Sequence, residues 1–204
     1  MRSGFLKICV LAVCAGLMFL TAGGAFAGGT QSVPYSQCEP EVKSGTDPKT
    51  CLGCKTEEVC GKEEEAVKLL TEATEVTFYV MDGSVGTGKQ PILGGYDPVE
   101  NKVLAGDLAR EVATAFRGSL RSGNYFAMCF NPHHALMIKT PDHLYEYVLC
   151  YDCTQMEIYI DSSYISRIPT IGDPERMNAL VVKAGMTLPK DYVEQLEWKK
   201  VGDP

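Results

Sequence analysis

Two cysteine-bearing segments in the second half of the chain constrain its fold more than any other feature. They are Cys129-Phe-Asn-Pro-His-His134 and Cys150-Tyr-Asp-Cys153. Between them lie two short runs that alternate apolar and polar residues, Ala135–Thr140 and Leu144–Leu149, joined by Pro141-Asp142-His143. Period-2 runs flanking turn residues predict an antiparallel hairpin centred near Asp142. In that hairpin, residues whose numbers sum to about 284 face each other, which sets His134 opposite Cys150. Cys129 and Cys153 then fall just beyond, at the same end. Three thiols and one or two imidazoles are thus expected at one rim of a small sheet.

Three chemistries suit that rim. Cys129, His134, Cys150 and Cys153 would form a closed structural zinc site, with all four tetrahedral positions filled and none left for water. Alternatively, Cys129 pairs with Cys150 or Cys153, the third cysteine is buried, and His133 and His134 are ordinary loop residues. In the third reading Cys150 and Cys153 are a thiol-redox pair. Reactive pairs are activated by a helix N-terminus or a cationic neighbour. Here the motif lies between strands and carries Asp152 inside it, and only His133 or His134 could offset that.

The cysteine count bears on the choice. Arg2 and Lys7, an apolar run from Ile8 to Leu20 and the small residues of Ala25-Phe26-Ala27 read as a signal peptide, residues 1–27. A lipid anchor at Cys14 is the weaker alternative, because Val13 is large where a lipobox wants a small residue. Cleavage removes two of the nine cysteines and leaves seven: Cys38, Cys51, Cys54, Cys60, Cys129, Cys150 and Cys153. An oxidising compartment favours disulfides, yet an odd number leaves one thiol free, intermolecular or metal-bound. Losing Arg2 and Lys7 also takes the net charge from −7 to −9. That acidity argues against nucleic acid and anionic membrane surfaces as partners. No later stretch approaches the roughly 20 apolar residues of a membrane span.

Residues 28–61 are rich in Gly, Ser, Thr, Pro, Lys and Glu and lack apolar periodicity, so they read as a Cys-rich extension without a core of its own. Cys38, Cys51, Cys54 and Cys60 would order it, through disulfides or as a second zinc site. Residues 62–204 read as the folded domain. A short helix over Glu63–Ala73 precedes a strand at Val76–Met81. A Gly/Pro-rich connector follows to Leu104, then a helix capped by Asp107. Three strands come next, Ala135–Thr140, Leu144–Leu149 and Gln155–Ile160. A helix opened by Asp173-Pro174 and closed by Gly185 is the last clear element, before a charged tail, Leu188–Pro204, read as a short helix through Trp198. The class is α+β: a small antiparallel β-meander with helices packed on one face, preceded by the Cys-rich extension.

Other motifs carry less. Gly83-Ser-Val-Gly-Thr-Gly88-Lys89 has the spacing of a phosphate-binding loop, but Gln90 and Pro91 replace the hydroxyl residue and the helix that such a loop requires. A flexible turn is the better reading. Glu63-Glu64-Glu65 suits a helix start. Tyr145, Tyr147, Tyr151, Tyr159 and Tyr164 are read as clothing the sheet rather than as a binding platform. No serine sits in a nucleophile elbow beside one of the three histidines.

Residues 76–188 resemble an uncharacterised bacterial family of exported or lipoprotein-like proteins. The resemblance is carried by Gly95-Tyr96, Cys129-Phe130-Asn131-Pro132-His133-His134, Cys150-Tyr151-Asp152-Cys153 and the run from Leu180 through Ala184-Gly185 to Leu188. His134 matches the family's histidine, whereas His133 stands where Arg is common. The resemblance implies the architecture and the site positions, and no activity comes with it. The expected function is therefore an exported, periplasmic or extracellular, non-enzymatic module whose Cys/His knot is held by zinc or disulfide. Its partner would be an unidentified protein or envelope component. The alternative is an envelope thiol-redox or metal-handling protein using Cys150 and Cys153.

Overall fold

A computed structural model describes residues 55–83, 92–121 and 130–189. The signal segment, the extension as far as Cys54, Cys129 and the tail beyond Pro189 lie outside the described residues. Among those described, six strands form one antiparallel sheet and three helices cover one of its faces, which is the α+β class expected.

The first helix, α1, spans Glu57–Glu72 and starts earlier than its apolar pattern indicates. Thr56 caps it, its side chain accepting from the Val59 N–H at 3.2 Å, and Glu57 and Glu58 favour the positive end of the dipole. Residues 57–61, assigned above to the extension, are thus its first turns. Cys60, Glu63, Ala66, Val67 and Leu70 form its buried stripe. Burying the Glu63 carboxylate would be costly alone, and Lys55 Nζ pairs with it at 2.7 Å.

Strands β1 (Glu75–Met81) and β2 (Pro98–Ala105) pair antiparallel, and α2 (Gly106–Ser119) follows directly. Then β3 (His134–Lys139), β4 (Leu144–Cys150), β5 (Gln155–Ile160) and β6 (Ser163–Pro169) run as a meander. The spatial order is β2-β1-β3-β4-β5-β6. Helix α3 spans Pro174–Lys183, opened by the Asp173 side chain on the Arg176 N–H and followed by Gly185 at φ 72°. Strands β2 and β6, the two edges, are additional to the expected meander.

Period-2 alternation divides the sheet's side chains between two cores. Phe78, Leu136, Tyr147, Leu149, Met156 and Ile158 face the helices. Tyr147 donates to the Ala66 carbonyl at 2.7 Å and Tyr145 to Glu65 at 2.6 Å, so two tyrosines bolt α1 onto the sheet. Tyr79, Met81, Ala135, Val148 and Tyr159 face the other way and are capped by Leu93 from a short 3-10 turn, Leu93–Gly95.

The β3–β4 hairpin differs from expectation by one residue. His134 pairs with Leu149 and Lys139 with Leu144, leaving a four-residue connection from Thr140 to His143. Thr140 closes it, with its N–H donating to the His143 carbonyl and its hydroxyl accepting from the His143 N–H. A connection of even length centres the hairpin between Pro141 and Asp142 rather than on Asp142. A one-residue change of register exchanges faces: His134 points with Leu149 towards the helices, whereas Cys150 follows Val148 towards the other face.

Candidate functional site

Cys150 ends β4, and the turn Tyr151–Thr154 leads into β5, closed by the Thr154 N–H on the Tyr151 carbonyl at 3.0 Å. Cys150 and Cys153 are joined as a disulfide with their Cα atoms 5.4 Å apart. Both are fully buried. Cys150 Sγ also accepts from the Cys153 N–H at 3.2 Å and the Asn131 N–H at 3.3 Å, tying the turn to the segment that enters β3.

Of the four residues expected at the rim, the structure brings Cys150 and Cys153 together and sets His134 on the opposite face of the sheet. Cys129 lies outside the described residues. His134 is a core residue, stacked on Phe78 with ring centroids 5.8 Å apart and met edge-on by Tyr151 at 5.6 Å. Burial, reinforced by the neighbouring His133, holds its pKa down at about 3, so the ring is neutral at physiological pH. His133 keeps to the ladder through its backbone, its N–H on the Leu149 carbonyl and its carbonyl accepting from the Met81 N–H. In the second cysteine group, Cys60 lies on the buried stripe of α1 and is disulfide-bonded, while Cys38, Cys51 and Cys54 are outside the described residues. Among the described residues, no three His, Cys, Asp or Glu side chains are grouped to hold a metal ion.

Tyr151, between the two half-cystines, shapes the surface beside them. Its ring lies against Gly172 so closely that a Cβ there would overlap it, which gives that glycine a steric role. Around this contact opens a cleft of about 270 Å³. Leu149, Tyr151 and Met177 supply apolar walls, and Arg121, Asp173 and Arg176 supply charge. The segment joining β6 to α3 is stitched into place on both sides. Thr170 N–H donates to the Thr154 carbonyl of the disulfide turn at 2.8 Å, and Ile171 N–H to the Ser119 carbonyl at the end of α2 at 2.8 Å. Arg121 Nη1 donates to the Gly118 and Leu120 carbonyls at 2.8 and 2.6 Å, against the negative end of α2. Cleft and disulfide turn are therefore one connected structure.

A polar cluster on the other face of the sheet was not apparent in the sequence. The buried Glu157 pairs with Arg167 and accepts from the Tyr159 hydroxyl at 2.7 Å, while Arg167 lies over the Phe130 ring at 5.3 Å. Burial first, and then the hydrogen bond to Glu157, push the Tyr159 pKa up. Each Glu157 oxygen already has a partner, so the cluster reads as an internal brace. The available signal was on β5, where Glu157 and Tyr159 alternate with Met156, Ile158 and Ile160; the pairing with β6 that sets Arg167 opposite Glu157 was not legible. The cleft had no such signal, because its walls are assembled from α2, the disulfide turn and α3, which are distant in sequence. Compared with known proteins, the chain matches no family model, no curated protein and no solved structure.

Proposed function

We propose that the protein is an exported, non-enzymatic module of the periplasm or extracellular space, in which the Cys150–Cys153 disulfide is a structural knot. It acts by presenting the surface that this knot organises to a protein or envelope component. The observation that carries the reading is the complete burial of both half-cystines, with Cys150 Sγ engaged by two backbone N–H groups. A redox pair must expose one sulfur to its exchange partner, and its thiolate needs a helix N-terminus or a cation nearby. Here neither sulfur is exposed, and Asp152 adds a negative charge within the turn. Signal-like residues 1–27 and the disulfide-bonded Cys60 favour an oxidising destination. Of the zinc and disulfide alternatives, the pairing of Cys150 with Cys153 and the placement of His134 behind the sheet favour disulfide.

The test uses mature protein prepared from an oxidising compartment. It is treated with dithiothreitol under native conditions, then alkylated and mapped by mass. Cys150 and Cys153 should remain unlabelled until denaturant is added. Rapid native labelling of either would establish the redox reading instead, and a mass excess of one zinc lost on denaturation would establish the metal site.

A further inference from the structure

We infer that the cleft beside the disulfide turn binds a small organic anion, a carboxylate carried on a short apolar body. This goes beyond surface presentation and does not require either cysteine to be reactive. Charge supplies the first support. The chain is acidic overall, with 19 Lys and Arg against 26 Asp and Glu, yet the cleft is lined by two arginines and one aspartate. The aspartate is partly committed, since Asp173 caps α3 by accepting from the Arg176 N–H at 2.9 Å. Arg121 is held through Nη1 by two carbonyls, which fixes its guanidinium and leaves its remaining N–H groups for another acceptor. The cleft also lies at the first turn of α3, a ten-residue helix whose N-terminal dipole favours negative charge.

Shape and polarity define the rest of the ligand. Ile171, 47% exposed, and the Tyr151 ring give the cleft its accessible apolar surface, with Leu149 and Met177 buried behind it. An inorganic anion would leave those walls unused, and a neutral hydrocarbon would leave the arginines unused. A volume of 270 Å³ is just below the ~300–1,000 Å³ range of small-molecule sites. That fits a monocarboxylate with a short chain or one ring, rather than a nucleotide or a long lipid. Its carboxylate would lie between Arg121 and Arg176, with the tail towards Tyr151 and Ile171.

Hexanoate, acetate, hexanol and inorganic phosphate are the probes, titrated into the mature protein and followed by calorimetry and by backbone amide shifts of Tyr151, Gly172 and Arg176. Hexanoate should bind tightest, with shifts confined to the cleft. Arg176→Gln removes an exposed guanidinium without touching the core, and should weaken hexanoate roughly tenfold or more, the usual loss for one charge-assisted hydrogen bond. Ile171→Asp should weaken it as well, through repulsion and lost apolar contact. The inference is overturned if hexanol binds as well as hexanoate, if phosphate or acetate binds as tightly, or if hexanoate is indifferent to both substitutions. Absence of cleft shifts with any probe would also overturn it.

Discussion

His134 illustrates how a residue type suited to metal binding can serve packing instead. Its neutral ring lies between Phe78 and Tyr151, and protonation would put a charge where no water reaches. In the folded chain its pKa is about 3, against 6.5 ordinarily. Below pH 6.5 the unfolded chain gains a proton that the folded chain refuses, so stability is lost as the pH falls, by about 1.4 kcal/mol per unit. Between pH 7 and pH 5 this amounts to about 2 kcal/mol. His143 works with the opposite sign: its hydrogen bond to Asp161 raises its pKa, so its contribution is present at low pH and lost as the pH rises. Asp161, lowered by the Leu144 N–H and then by His143, contributes at higher pH and loses that contribution on acidification. Replacing His134 with Phe isolates the first effect, because the stacked ring is kept and the titration removed. Urea unfolding at pH 7 and pH 5 should show a pH-dependent loss about 2 kcal/mol smaller in the variant. Equal losses in the two proteins would mean that His134 is not held neutral. The sequence identified His134 as a residue of interest, but its role turned on one residue of hairpin register, which the Thr140–His143 connection decides.

At the scale of elements, a single carboxylate on β4 organises two turns. Glu146 is fully buried, accepting from the Leu93 N–H at 2.6 Å and from the Ser162 N–H at 3.2 Å. The turn it holds has three successive residues at positive φ, Leu93 at 55°, Gly94 at 66° and Gly95 at 86°. Leucine in that region costs on the order of 1–2 kcal/mol, and the carboxylate offsets it by satisfying the buried N–H. Burial raises the Glu146 pKa despite those two donors, so its ionised form costs stability at neutral pH and the cost falls as the pH drops. Glu146→Ala should destabilise the fold by about 1–3 kcal/mol and accelerate exchange of the Leu93 amide. Glu146→Gln, which keeps an acceptor and removes the charge, should lose less. A Leu93 amide that exchanges equally slowly in all three proteins would rule out this bracing role. The central strands were legible because both faces are covered and their patterns are regular. β2 was not, since its outer positions are exposed, with Val99 and Val103 at 57% and 63%, and Pro98 begins it. β6 was hidden by the bulge at Ile158/Tyr159, which breaks its alternation, and by the Pro169 that ends it. The start of α1 was masked because Thr56, Glu57 and Glu58 are capping and dipole signals rather than core signals.

For the molecule as a whole, one sheet shared by two cores has a thermodynamic consequence. The helix-side core includes Leu136 of β3, and the opposite core includes Met81 of β1, both at most 1% exposed. Each core needs the sheet's backbone ladder, so neither can melt and leave the other intact. Leu136→Ala and Met81→Ala should each cost about 2–5 kcal/mol and shift the same single transition. Because the sheet backbone separates the two side chains, the double variant should approach the sum within about 0.5 kcal/mol. Far-ultraviolet and tyrosine near-ultraviolet dichroism should give coincident midpoints in every variant. A separate early transition for Met81→Ala would instead make the outer layer an independently melting lid. The distinction bears on function. The cleft takes its walls from the end of α2, the disulfide turn after β4 and the start of α3. Their preorganisation rests on the shared sheet, so a ligand held there should raise the single midpoint of the whole domain rather than stiffen one loop.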